Sequence, residues 1–177
     1  LLKEIIMSKA VICIAKTLPQ AESIVANLKN VGVLTADVSV LMPDRTGTRD
    51  FAHEHNTKAP EGATIGGSAG GLAGGALGLL AGIGALAIPG VGPFIAAGPI
   101  MAALSGAAVG AAIGGIGGAL IGLGMPEYEA KQYEEKVKDG NILISVHTNN
   151  SDTAKHVKEI MKNGGADDIS ITGEDSV

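Results

Sequence analysis

The sequence predicts an α+β fold: a ferredoxin-like βαββαβ sandwich split by a long Gly/Ala-rich helical hairpin. Three observations predict it. Stretches near the two ends read alike as strand, helix, strand. The composition between them changes abruptly, since residues 62–126 contain no Asp, Glu, Lys, Arg or His. Within that run, small residues recur every four positions, which lines them along one face of a helix.

Residues 10–15 (Ala-Val-Ile-Cys-Ile-Ala) form a β-branched apolar run, read as a buried strand. Thr17 caps a helix that tolerates Pro19 in its first turn. Ala21, Ile24, Val25 and Leu28 fall at helical spacing, and Gly32 ends the helix. Residues 37–42 (Asp-Val-Ser-Val-Leu-Met) read as a second strand, stopped by Pro43. The C-terminal end repeats the pattern. Residues 142–147 (Ile-Leu-Ile-Ser-Val-His) are a strand, and Ser151 or Asp152 caps a helix with Ala154, Val157, Ile160 and Met161 inward. Gly164 and Gly165 end that helix, and residues 168–171 are the last strand. Leu28-Lys29-Asn30-Val31-Gly32 aligns with Met161-Lys162-Asn163-Gly164-Gly165, and Asp37-Val38-Ser39-Val40 with Asp168-Ile169-Ser170-Ile171. Two such halves predict a four-stranded sheet with two helices on one face.

The expected organisation is a first half at 9–43, a polar loop at 44–61 and a glycine-zipper helical hairpin at 62–125. A charged helix at 126–140 and the second half at 141–174 follow. One ladder runs Gly62, Gly66, Gly70, Gly74, Gly78, Gly82; the other Gly98, Ala102, Gly106, Gly110, Gly114, Gly118, Gly122. Such faces let helix backbones approach closely, so Gly66, Gly70, Gly74, Gly78, Gly106, Gly110, Gly114 and Gly118 are the expected packing and oligomerisation contacts. Pro89, Gly90, Gly92 and Pro93 read as the turn between the ladders. In the charged helix, Glu127 and Glu129 suit the N-terminus, Lys136 and Lys138 the C-terminus, and Glu127–Lys131 an i,i+4 pair.

Each ladder is long enough, at about 35 Å, to cross a hydrocarbon core of about 30 Å. Arg45, Arg49 and Lys58 precede the hairpin, Lys131, Lys136 and Lys138 follow it, and its turn carries no charge. Membrane association with the sandwich on the cytoplasmic side is the expectation. Against it, Ile65 and Leu72 are the only large apolar side chains in residues 62–76. That half-helix calls for protein neighbours, which favours a homo-oligomer. A soluble shell or filament with the hairpin buried between subunits is the alternative reading.

Net charge −5, no Trp and 2% aromatic residues argue against a nucleic-acid partner. The single Cys13 sits in an apolar run and reads as a buried, inert thiol. Residues 1–6 read as an extension upstream of Met7. Gly66-Gly67-Ser68-Ala69-Gly70 matches a nucleophile elbow by letter, but no strand precedes it. Gly82-Ile83-Gly84-Ala85-Leu86-Ala87 matches a loose dinucleotide fingerprint, yet it ends a helical pattern and runs into Pro89. No enzyme activity and no cofactor are expected. His53 and His55 are weak metal candidates, since zinc sites want three or four ligands; a metal- or ligand-binding regulator is the third reading.

Several stretches carry a resemblance. Val40-Leu41-Met42-Pro43-Asp44, Phe51-Ala52-His53-Glu54, Thr57-Lys58-Ala59-Pro60-Glu61-Gly62 and residues 87–94 (Ala-Ile-Pro-Gly-Val-Gly-Pro-Phe) look like bacterial general-stress-protein-type sequences with a Gly-rich centre. So do residues 125–131 and 142–147, and the likeness covers residues 9–174. It implies a stress association and brings no catalytic residues. The layout is also similar to the subunit of alternative complex III that joins a ferredoxin-like domain to a two-helix membrane hairpin.

Overall fold

The computed structural model describes residues 9–44, 77, 80, 84–88, 92–100, 111–122 and 125–172. It is a mixed α/β fold with one antiparallel sheet. The strands are β1 (Lys9–Ala15), β2 (Val38–Pro43), β3 (Gly84–Ile88), β4 (Gly92–Ala97), β5 (Ile142–Thr148) and β6 (Asp167–Thr172). The helices are α1 (Leu18–Asn30), α2 (Ala111–Gly122), α3 (Glu127–Lys138) and α4 (Ser151–Asn163), and a 3-10 turn spans Thr35–Asp37. The sheet order is β3-β4-β2-β5-β1-β6, and every pairing is antiparallel.

The end segments form where their patterns place them. Thr17 accepts the N–H of Gln20 at 3.3 Å, and Pro19 sits in the first turn of α1. Gly32 adopts φ +92, the left-handed conformation that closes a helix end. The cap of α4 is one residue earlier than expected: Asn150, not Ser151 or Asp152, accepts the N–H groups of Asp152 and Thr153 at 2.8 and 3.4 Å. The two candidates are exposed first-turn residues instead.

The layering departs from expectation, because helices cover both faces of the sheet. One face buries Val11, Cys13, Val40, Ile144 and their neighbours under α1 and α4. The other buries Ile12, Ile14, Leu41 and Leu143 under α2 and α3. Strands buried on both faces read as continuous apolar runs, and that is how β1, β2 and β5 are written. The charged helix is therefore not a solvated rod. Ala130, Tyr133 and Val137 share one stripe and are buried against the sheet.

The centre of the predicted helical hairpin is a second correction. Gly84–Ile88 and Gly92–Ala97 are strands, and β4 pairs with β2 from Val40↔Ala97 to Pro43↔Phe94. The Pro-Gly turn signals belong to this β-hairpin, which extends the sheet beyond four strands. Its pairing satisfies the outer edge of β2, which would otherwise stand open. It also makes residues 92–97 a strand of the sheet rather than a turn between two helices. The first ladder lies outside the described residues. Leu77 and Leu80, just past most of its rungs, are buried in the α1/α4 core, and Leu77 donates its N–H to Glu22 Oε2 at 3.1 Å.

The second ladder is not one straight helix. Gly98 adopts φ +76, and a Cβ there would lie 2.1 Å from the Val38 carbonyl oxygen. It is a close-approach glycine at the junction of β4 and β2 rather than a rung. Within α2, Gly115 at φ 52 and ψ −130 breaks the helical path. No helix among the described residues is long and apolar enough to cross a membrane.

Candidate functional site

Of the expected packing glycines, Gly66, Gly70, Gly74, Gly78, Gly106 and Gly110 lie outside the described residues, as do His53 and His55. Gly114 and Gly118 both belong to α2, but the break at Gly115 separates them. Beyond the break, Ile116, Ala119 and Leu120 point into the core at helical spacing. Gly118 and Ile121 lie off that face. Gly118 is half-buried and Ile121 is 46% exposed. A glycine beside an exposed isoleucine is a face to which another backbone can come close.

Helix α3 fixes that face through α2's backbone. Glu134 Oε2 accepts the N–H of Gly117, and Glu134 Oε1 pairs with Lys138 at 2.7 Å. The Glu127–Lys131 pair forms as expected at 3.4 Å, but both side chains are 72% exposed and such a pair contributes little. Lys136 reaches across to Asp168 on β6. Tyr133 donates its hydroxyl to the Asp168 carbonyl, and Ser170 Oγ donates to Glu129 Oε2 at 2.9 Å. Asp168, which takes the Lys136 and Tyr133 bonds, sits at φ 50, an uncommon angle for a residue with a Cβ. Burial first, then the Glu129 and Cys13 charges, push the Tyr133 phenol above its ordinary range, with the Ser170 hydrogen bond pulling the other way.

A separate cleft of about 510 Å³ opens on the α1/α4 side. It is lined by the α1–β2 connection (residues 31–34 and Asp37), the end of β5 (residues 146–148) and the start of α4, including Asp152 and His156. The pairing of Val38 with Val146 sets Asp37 beside His147. Burial lowers the His147 imidazole below its usual value, and the Asp37 carboxylate opposes that shift. His147 Nδ1 is buried with no hydrogen-bond partner, as is Ser145 Oγ two residues earlier.

His147 lies near the end of β5 and His156 on α4. Both line the cleft, where the β5 end meets the α4 start. Among the described residues no group of three or more His, Cys, Asp or Glu could hold a metal ion. No family model, no curated protein and no solved structure matches the chain.

Proposed function

We propose that this chain is a non-enzymatic, stress-associated protein that assembles with copies of itself through its glycine-rich region. The observation that carries the reading is the outward face of α2, where Gly118 and the exposed Ile121 stand clear of the core. The α/β domain is read as ferredoxin-like. Pairing of β5 with both β1 and β2, and of β6 with β1, supports that reading, with α1 and α4 as its crossover helices. Residues 44–140 are then an insertion, of which β3 and β4 have joined the sheet. General-stress-type proteins remain the proposed relatives, on the residues quoted for that likeness.

Light scattering on the full chain without detergent tests the assembly. The wild type is expected as a multimer, and Gly74→Leu with Gly114→Leu should reduce it to smaller species. Ile121→Glu changes an exposed position and should weaken assembly while leaving the fold, read by circular dichroism, intact. If all these variants assemble like wild type, the reading fails. Association with membrane lipid at the cytoplasmic face is a second reading, favoured by the charge-free run at 62–126. Carbonate extraction of native membranes decides it: release into the supernatant sinks it and leaves the soluble assembly.

A further inference from the structure

We propose that the cleft between the α1–β2 connection and the start of α4 binds a small organic cation, an ammonium or guanidinium group carried on a short apolar chain. The cleft's volume of about 510 Å³ lies within the range of small-molecule sites. Its lining has an apolar floor, the buried Val146 and Val157, with polar and apolar side chains around the mouth. The rim residues Val31 and Leu34 are 49% and 67% exposed, large apolar side chains that an apolar ligand arm would cover.

The charge of the lining selects the ligand's sign. Asp37 and Asp152 line the cleft, and no Lys or Arg does. His147 adds no opposing charge, because protonation would leave a buried N–H at Nδ1 without an acceptor. An anion would find no free donors at the α4 start in the N–H groups of Asp152 and Thr153, which Asn150 already engages, and it would meet the Asp152 carboxylate. A bare metal ion lacks a ligand cluster among the described residues. What fits is a cation that needs charge complementarity and apolar contact together, supplied by a free amine or by a lysine side chain of a peptide.

Calorimetric titration of the full chain with n-hexylammonium, N-acetyl-Leu-Lys-Leu-amide and hexanoate tests this. Saturable binding of a cationic probe and none of hexanoate is expected. The Asp37→Asn/Asp152→Asn variant should bind about tenfold more weakly, about threefold from each partly exposed carboxylate. Its fold is checked by circular dichroism, and neither position is in the core. Leu34→Ser should weaken hexylammonium and spare methylammonium. Tighter binding of the peptide assigns the site to a lysine side chain, and tighter binding of hexylammonium assigns it to a free amine. Hexanoate binding as well as hexylammonium, unchanged affinity in the double variant, or no saturable heat up to about 10 mM cation would each overturn the proposal.

Discussion

Glu134 holds Gly117 by its backbone N–H, so the most charged of the described helices is fastened to the one that carries no charge. The same carboxylate takes Lys138 at 2.7 Å, and its side chain is only 21% exposed. Hydrogen bonds to charged groups contribute about 1.5–3 kcal/mol, and partial exposure trims that. Glu134→Ala should therefore cost about 1–2 kcal/mol in urea unfolding, and Glu134→Gln less, because an amide oxygen still accepts. A Cβ at Gly117 would lie 2.6 Å from Glu134 Oε2, so Gly117→Ala should displace the carboxylate and cost a similar amount. The two losses should overlap in a double-mutant cycle. Full additivity would show that the contact does not couple the helices.

That contact also marks where sequence reading stops. The strands β1, β2, β5 and β6 and the helices α1 and α4 are legible because apolar residues repeat at clean strand or helix spacing and Gly, Pro and capping residues stand at their ends. The β3–β4 hairpin is hidden. Its Gly and Ala residues mixed with Leu, Ile, Pro and Phe show no polar face against an apolar one, and the period of four in the flanking ladders favours helix. The inward stripe Ala130–Tyr133–Val137 is present in the sequence but outnumbered by charge. The cleft is illegible because Asp37, His147 and Asp152 meet only once the strands pair.

Gly98 and Gly32 give a paired test of what a glycine does at positive φ. Both adopt it, at +76 and +92. A Cβ at Gly32 meets nothing within 4 Å, whereas at Gly98 it would lie 2.1 Å from the Val38 oxygen. Gly32→Ala should cost about 1–2 kcal/mol, the cost of the left-handed conformation alone. Gly98→Ala should cost clearly more, because backbone must also move at the β2–β4 junction. Equal losses in thermal or urea unfolding would contradict the close approach.

Cys13 lies on the interior strand β1, between β5 and β6, at 0% exposure beneath α1 and α4. Burial pushes its thiol up to about 12. The thiolate is the reactive form, and the native fold both suppresses it and hides it. Labelling by an aromatic disulfide reagent at mildly alkaline pH should be far slower in the native chain than in guanidinium, and its rate should follow stability across variants such as Glu134→Ala. Labelling at the denatured rate would place Cys13 at an accessible surface.

His147 predicts an acid-side loss of stability with a definite sign. Burial holds its folded pKa below the ordinary imidazole value of about 6.5. As pH falls through that value, the unfolded chain takes up a proton that the folded chain resists. The unfolded state then binds more protons, so stability drops as pH drops. Above the unfolded pKa the penalty is absent. His147→Gln should remove this component, so the wild-type-minus-variant stability should be flat above neutrality. It should decline below about pH 6.5, with a limiting slope of about 1.4 kcal/mol per pH unit for one proton. Asp37 raises the same group. Asp37→Asn therefore lowers the folded pKa further and should carry the decline to lower pH. A difference that rises on acidification would mean that the imidazole is protonated in the fold.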